Sequence, residues 1–121
     1  MINKRQKGAA YEQIAAAHLI SKGLEILEFN YRCKMGEIDI IAKDGEYLVF
    51  VEVKYRANHQ KGYPLEAISI QKQKTISKCA LHYMMVHRLT DVPVRFDVVG
   101  ILGEEKEHIK NASCKKCFLK R

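Results

Sequence analysis

Three side chains in the first half of the sequence, Asp39, Glu52 and Lys54, are of types that together can hold a divalent cation. Carboxylate oxygens are the protein ligands that Mg²⁺ and Mn²⁺ prefer. Lys54 follows Glu52 by two residues, so in a strand it lies on the same face and places a positive charge beside the carboxylate. The residue types therefore predict a Mg²⁺ or Mn²⁺ site built on Asp39 and Glu52.

Two predicted strands, residues 37–42 and 47–55, position these side chains. Both segments are rich in β-branched or aromatic residues, and Asp44-Gly45 between them predicts a tight two-residue turn. With that turn, Asp39 lies diagonal to Glu52, with about 7 to 8 Å between the backbones. We expect both carboxylates to reach one cation from this separation.

The same register concentrates negative charge on one face of the hairpin. Glu37 stands directly opposite Glu52, with Asp39 beside them, on a face that helices should cover. Lys54 supplies one compensating charge, and a divalent cation could supply the rest. The alternative is a solvated face on which Glu52 and Lys54 form an ordinary surface ion pair. The opposite face is predicted to be apolar and to carry Ile38, Ile40, Val49, Val51 and Val53.

The remaining sequence predicts one α/β domain around the hairpin. Apolar residues recur at helical spacing before the hairpin and after it, and short β-branched runs predict further strands. The order indicates a mixed sheet flanked by helices in a domain of residues 1–112, followed by a basic tail at 113–121. The predicted elements are a helix at 4–22, strands at 24–31, 37–42 and 47–55, a helix at 65–87, and strands at 94–102 and 108–112.

Composition restricts the partners and the compartment. The 121 residues are 47% hydrophobic, enough for one packed core, and 21 basic against 14 acidic residues give a net charge of +7. That excess favours polyanionic partners such as nucleic acid or an anionic membrane. The sequence begins without the apolar segment of a signal peptide and has no run long enough to span a bilayer, so we expect a cytoplasmic protein.

The four cysteines are expected to be free thiols in such a reducing compartment. Cys114 and Cys117 have the spacing of half a zinc knuckle, but no second pair follows them.

Four stretches of the sequence together resemble the YraN family of bacterial proteins, which belongs to the PD-(D/E)xK superfamily. They are GAAYE at 8–12, GEIDIIA at 36–42, VFVEVKYR at 49–56 and RFDVV at 95–99. The resemblance covers roughly residues 4–112 and implies the restriction-endonuclease-like fold, with an αβββαβ core related to that of archaeal Holliday-junction resolvases. Ile38 stands where the superfamily has a proline before its aspartate.

The resemblance implies a metal-dependent endonuclease that hydrolyses DNA, at branched or junction DNA. Asp39 and Glu52 would bind Mg²⁺ or Mn²⁺ together with the backbone carbonyl of Val53. Glu12, from the first helix, would bind or orient metal and water, and Lys54 would orient or activate the attacking water. These residue types suit the reaction, since a phosphodiester is anionic and its hydrolysis needs charge neutralisation and an activated water.

Several further residues are candidates for contacts around this site. Lys72 could point at a phosphate there, or it could be a surface lysine with a packed stem. Arg56 and Lys61, near the loop that leaves the Glu52 strand, suit contacts with a nucleic-acid backbone. For Asp97 we expect a buried carboxylate paired with a nearby cation rather than a catalytic group.

Two other functions are compatible with the sequence. The chain could be a module of the same fold that binds nucleic acid without cutting it, or an assembly factor that uses its basic surface for protein contacts. A homodimer is expected if the substrate is a four-way junction, because such a junction presents two symmetric cuts.

Overall fold

The computed structural model describes residues 4–56 and 69–110, apart from the side chains of residues 4–8 and of Arg56. It confirms an α/β fold in which a mixed sheet is flanked by helices. Neither helix in the described ranges is long and apolar enough to cross a membrane. The elements are α1 (Lys4–Ser21), β1 (Glu25–Cys33), β2 (Gly36–Asp44), β3 (Tyr47–Arg56), α2 (Ile70–Val86), β4 (Val94–Leu102) and β5 (Glu105–Ile109).

Most element boundaries differ from the sequence prediction by one to three residues, and the starts of α2 and β5 have a clear local cause. Helix α2 begins at Ile70 rather than at residue 65, because Ser69 is extended and its hydroxyl caps the helix by accepting a hydrogen bond from the Lys72 N–H at 3.0 Å. Strand β5 begins three residues before the predicted 108, because Gly103 has a φ of 63° and allows a tight turn directly after β4.

The five strands lie side by side in chain order, and β3 and β4 form the one parallel pair of this sheet. Helix α2 lies in the connection between these two parallel strands. Strand β3 is therefore paired on both sides, with β2 and β4, and its side chains at 48–52 are buried.

The core has one apolar layer on each face of the sheet. The α1 layer packs Ala15, Ala16 and Leu19 of the helix against strand residues that include Val49, Val51 and Val99. The α2 layer packs the buried side of helix α2 against the other face of the sheet, which includes Phe50, Phe96 and Val98. The buried residues of α2 are Ile76, Cys79, Ala80 and Tyr83.

The hairpin register differs by two residues from the predicted one. Asp44 pairs with Tyr47, so the turn residues are Gly45 and Glu46 rather than Asp44 and Gly45. Gly45 has a φ of 62°, and a glycine at the first turn position is typical of a type II′ hairpin. A shift of two residues leaves each side chain on its predicted face but changes its partner. Glu37 consequently does not face Glu52.

The regular pairing of β2 with β3 ends at Ile40 and Val51, so the next residues along the strands are Asp39 and Glu52. The two carboxylates are therefore direct neighbours instead of diagonal ones. Alternation along β2 also breaks here, since Ile38 packs in the α2 layer and not with Ile40 in the α1 layer. The prediction for Ile38 was wrong because it assumed a regular strand through Asp39.

The outer strands of the sheet depart from regular, apolar strands. Strand β1 contains a bulge between Ile26 and Glu28, and Asn30 has a φ of 54°. Strand β5 is five residues long, and its first three side chains are exposed and charged. They are Glu105, Lys106 and Glu107.

Candidate active site

Glu52 and Asp39 form the centre of the site at the point where β2 and β3 separate. Glu52 is 3% exposed because β3 is a central strand covered by α2. Asp39 is partly exposed, and its Oδ2 accepts a hydrogen bond from the Val53 backbone N–H at 2.9 Å. This bond holds the Asp39 carboxylate against β3, beside Glu52.

Two lysines approach the same oxygen of Glu52. The Nζ of Lys54 lies 3.5 Å from Glu52 Oε2, and the Nζ of Lys72 lies 3.7 Å from it. Lys72 comes from the first turn of α2, which the Ser69 cap fixes above the sheet. Lys72 therefore contacts the Glu52 carboxylate, and its contact with a phosphate stays a prediction.

The second oxygen of Glu52 has no hydrogen-bond partner among the described residues. Glu52 Oε1 is buried and accepts no hydrogen bond within residues 4–56 and 69–110. A buried acceptor without a partner costs free energy, so native proteins rarely keep one unless a ligand, ion or water satisfies it. The carboxylate thus offers one oxygen to the lysines and one to a group outside the described chain.

Burial is the largest cause that raises the pKa values of both carboxylates. Burial, followed by the charge of Asp39, raises the pKa of Glu52 to about 7, although Lys72 and Lys54 lower it. Burial also raises the pKa of Asp39, against the lowering effects of the Val53 N–H and Lys72. Bringing a divalent cation to this pair would relieve the cost of holding two buried negative charges together.

Glu12 lies on α1, at the edge of this centre. A ring stack of Tyr11 on Tyr55, with centroids 4.1 Å apart, packs α1 against the end of β3. Glu12 Oε1 accepts a hydrogen bond from Asn30 Nδ2 at 3.0 Å. Burial raises the Glu12 pKa, Asn30 lowers it, and the charge of Asp39 raises it further. Glu12 is therefore within electrostatic reach of Asp39 but is held by Asn30.

The sequence interpretation missed Asn30. Its left-handed backbone, with a φ of 54°, is a conformation that asparagine tolerates better than most residues. Asparagine is depleted in strands, so its presence inside a predicted strand was the available signal.

Glu37, which shares the GEIDIIA motif, pairs outside the centre. Its carboxylate lies 3.5 Å from Arg32 Nε. Its negative charge contributes to the raised pKa values of Asp39 and Glu12. Glu37 thus adds to the negative potential of the site without contacting Glu52.

The Asp39 and Glu52 carboxylates are ligands of the kind that Mg²⁺ and Mn²⁺ commonly have in proteins. In the described part of the chain, no three His, Cys, Asp or Glu side chains are grouped closely enough to enclose a metal ion. Mg²⁺ commonly binds one or two carboxylates and completes its shell with water and substrate phosphate. Asp39 and the unpaired Oε1 of Glu52 supply such a pair. The contributions of Glu12 and of the Val53 carbonyl to metal binding stay predictions.

The other predicted nucleic-acid contacts lie at or beyond the end of β3. Arg56 is the last residue of β3 and pairs with Leu102 of β4, while its side chain is outside the described atoms. Lys61, Cys114 and Cys117 lie outside the described residues.

Asp97 forms a separate ion-pair network, as predicted. Its carboxylate oxygens accept hydrogen bonds from Arg95 at 2.9 Å, and its Oδ2 lies 2.7 Å from His108 Nε2. Arg95 also donates to Asp44 Oδ2 at 2.9 Å. Asp97 lies on the face of β4 that carries Val99, opposite the face of Glu52, so it ties β4 to β5 and to the β2 turn.

Comparison with known proteins agrees with the resemblance inferred from the motifs. Residues 11–101 match the family described as "Uncharacterised protein family UPF0102". A UPF0102 protein of Lachnoclostridium phytofermentans is 54% identical over 92% of this chain and 95% of its own length. A UPF0102 protein of Pseudoalteromonas translucida is 49% identical over 88% of this chain and 87% of its own length. One of Clostridioides difficile is 47% identical over 92% of this chain and 99% of its own length. The chain therefore belongs to the UPF0102 family.

Proposed function

We propose that this protein is a divalent-metal-dependent endonuclease that hydrolyses DNA phosphodiester bonds. The observation that carries the proposal is the buried Glu52 carboxylate beside Asp39. Its Oε2 faces two lysines, and its Oε1 accepts no hydrogen bond from the part of the chain that the structure describes. A carboxylate pair with a raised pKa next to fixed cations is the kind of electrostatic arrangement found at catalytic sites. The basic net charge of +7 supports a polyanionic substrate.

Asp39 and Glu52 would hold the metal, with Glu12 and the Val53 carbonyl as further candidates. When bound, Mg²⁺ or Mn²⁺ supplies Lewis acidity that withdraws negative charge from the phosphate. The chain's own contribution is to hold the two carboxylates together, which the Val53 N–H bond to Asp39 and the enclosure of Glu52 achieve.

Lys54 and Lys72 would bind the phosphate oxygens. Both ammonium groups are positioned by the same Glu52 oxygen, so their charges are in place before substrate arrives. Such preorganisation avoids the cost of rearranging polar groups as negative charge develops on the phosphate. Lys54, which is the nearer of the two to Glu52, would orient the attacking water.

A second candidate is a module that binds nucleic acid without cutting it. One observation favours it: Lys54 and Lys72 already balance the charge of Glu52 without a metal ion. On this view the cluster presents two lysines to a phosphate backbone, and Asp39 and Glu52 serve only to hold them.

The deciding experiment is cleavage of labelled four-way-junction, duplex and single-stranded DNA with Mg²⁺, with Mn²⁺ or with a chelator. We expect cleavage by the wild type with either metal, and its loss in Asp39→Ala and Lys54→Ala. Lys106→Ala, which removes an exposed charge on β5, is the matched control and should cut like the wild type.

Absence of cleavage on all three substrates, with DNA binding that weakens in Lys54→Ala but not in Asp39→Ala, would support the non-cutting module instead. Circular dichroism of each variant would show that the loss of cleavage does not reflect loss of the fold.

A further inference from the structure

A second pair of reactive side chains lies between β1 and α2. Cys33, the last residue of β1, is partly exposed, whereas Cys79 on α2 is buried. Their Sγ atoms are 3.2 Å apart although the residues are 46 positions apart in sequence. A disulfide bond is about 2.05 Å long, so a relative movement of roughly 1 Å would bring the sulfurs to bonding distance.

The short distance between the two sulfurs follows from how closely the backbone of the β1–β2 hairpin approaches α2. Cys33 pairs with Gly36 across the turn that joins β1 to β2. A Cβ placed on Gly36 would lie 2.5 Å from Thr75 Cγ2 and 3.5 Å from Cys79 Sγ. The end of the β1–β2 hairpin therefore sits directly on α2, and the absence of a side chain at Gly36 makes that contact possible.

We propose that Cys33 and Cys79 are a modification site, at which exchange with a low-molecular-weight disulfide forms a reversible bond between β1 and α2. This inference is independent of the proposed nuclease activity. The structure confirms Cys33 and Cys79 as free thiols, and the proposal adds that they can be oxidised reversibly.

Exchange proceeds in two steps that conserve atoms and charge. The Cys33 sulfur, the more accessible of the two, attacks as a thiolate one sulfur of the small disulfide RSSR, and RS⁻ leaves. The Cys79 sulfur then loses its proton, attacks Cys33 Sγ in the mixed disulfide and expels the second RS⁻. Two protein thiols are thereby oxidised by two electrons, and RSSR takes up the two protons to become two RSH.

The contact between the two sulfurs, and not the acidity of Cys79, makes the second step possible. Burial, with the hydrogen bond from Cys33, raises the pKa of Cys79 to about 12, so its thiolate is rare at neutral pH. The attack of Cys79 on the mixed disulfide is therefore the slow step, and Cys33 Sγ is the sulfur within its reach.

The bond would tether the helix that supplies Lys72. Cys79 lies seven residues, or two helical turns, beyond Lys72, and both belong to the face of α2 that meets the sheet. The disulfide would close the loop between Cys33 and Cys79, which are 46 positions apart, and so restrict the unfolded chain. We expect the oxidised protein to melt on the order of 10 °C higher than the reduced one.

The test uses the full chain with Cys114→Ser and Cys117→Ser, which leaves Cys33 and Cys79 as its two cysteines. The protein is equilibrated with mixtures of oxidised and reduced glutathione, and free thiols are then blocked with N-ethylmaleimide. Intact mass, peptide mapping and thermal melting are measured at each ratio. We expect an intramolecular Cys33–Cys79 disulfide with no blocked thiol, a higher melting temperature, and full reversal by dithiothreitol.

Cys33→Ser and Cys79→Ala in the same background are the controls, and neither should show the oxidised shift in melting temperature. Peptide mapping of the wild type should give the same linkage, so the result does not depend on any variant folding well. Two blocked thiols at every glutathione ratio, or mixed and intermolecular disulfides without the Cys33–Cys79 link, would overturn the proposal.

Discussion

At the scale of single residues, the burial of Glu52 governs how stability depends on pH. Its pKa rises from 4.5 in a solvated chain to about 7 in the fold, so between these values the native state holds a proton that the unfolded chain releases. Unfolding then releases a proton, and this contribution to stability is lost as the pH rises through the window. A shift of this size corresponds to on the order of 3 kcal/mol.

We predict that Glu52→Gln removes this dependence. Between about pH 5 and about pH 8, without divalent metal, the wild type should lose on the order of 3 kcal/mol of unfolding free energy that the variant does not lose. The variant therefore becomes more stable relative to the wild type as the pH rises. Urea denaturation at several pH values measures it, with Glu105→Gln on the exposed edge as the control. Parallel pH profiles for Glu52→Gln and wild type would show that Glu52 is not a buried, proton-holding group.

Lys72 gives a second prediction at this scale, because its charge lowers the pKa of Glu52 and is positioned to meet a phosphate. Lys72→Ala should weaken DNA binding and reduce the slope of log affinity against log salt by about 0.9. It should also move the pH at which metal binds to a higher value. Binding isotherms at several salt concentrations measure the slope. An unchanged slope, equal to that of the wild type, would place Lys72 outside the DNA interface.

At the scale of elements, the contact of the β1–β2 hairpin with α2 depends on Gly36. A Cβ there would lie 2.5 Å from Thr75 Cγ2, and the φ of 151° is one that side chains rarely adopt. Gly36→Ala should therefore destabilise the protein by about 2 to 4 kcal/mol, with an accompanying loss of helix packing.

Gly45→Ala is the matched control for that change, since Gly45 also has a positive φ but a Cβ added to it would meet no atom within 4 Å. It should cost only about 1 kcal/mol, the backbone part of the effect. Adding Thr75→Ser to Gly36→Ala removes the clashing methyl group and should recover part of the loss. Equal costs for Gly36→Ala and Gly45→Ala in chemical denaturation would contradict a tight hairpin–helix contact.

The elements also show where sequence reasoning succeeded and where it failed. Strand β4 was predicted at both ends, because Pro93 precedes a β-branched and mostly apolar run that Arg95 and Asp97 interrupt only in its first half. The register of the β2–β3 hairpin was not, because Asp44-Gly45 and Gly45-Glu46 are both acceptable turns. The first needs a positive φ at both residues and the second at Gly45 alone, which is what the structure has. Propensities do not decide that choice; the packing of the strands against two helical layers does.

The candidate site was predictable in its residue types but not in its contacts. The faces of Asp39, Glu52 and Lys54 survive a two-residue shift in register, which is why these three were found. The sharing of Glu52 Oε2 by two lysines arises from the position of α2, which lies far along the chain. No local pattern carries that information. The contact of Asn30 with Glu12 likewise joins two elements, although an asparagine inside a predicted strand was a local sign of an unusual position.

At the scale of the whole molecule, metal binding and folding should be linked. A ligand that binds only the native state raises the melting temperature, by an amount equivalent to about 2.7 kcal/mol at one hundred times its dissociation constant. We predict that Mn²⁺ stabilises the wild type but not Asp39→Ala. The shift should be larger at about pH 8 than at about pH 6, because Glu52, with its pKa of about 7, must release a proton to the solvent first.

Differential scanning calorimetry with Mn²⁺ and with chelator measures this linkage. A shift that is equal in wild type and Asp39→Ala would locate the metal elsewhere, and no shift at either pH would remove the basis for the metal-dependent proposal.

The two outer strands also determine how copies of this molecule can associate. A free strand edge is a template for pairing with another chain, and both edges here are poor templates. Strand β1 has a bulge between Ile26 and Glu28 and a left-handed residue at Asn30, so its outer edge is irregular. Strand β5 is short and carries charged side chains at Glu105, Lys106 and Glu107. Growth of the sheet from one copy to the next, the route to fibrils, is therefore opposed on both sides. A homodimer that places two sites on one junction would have to form through helices or loops.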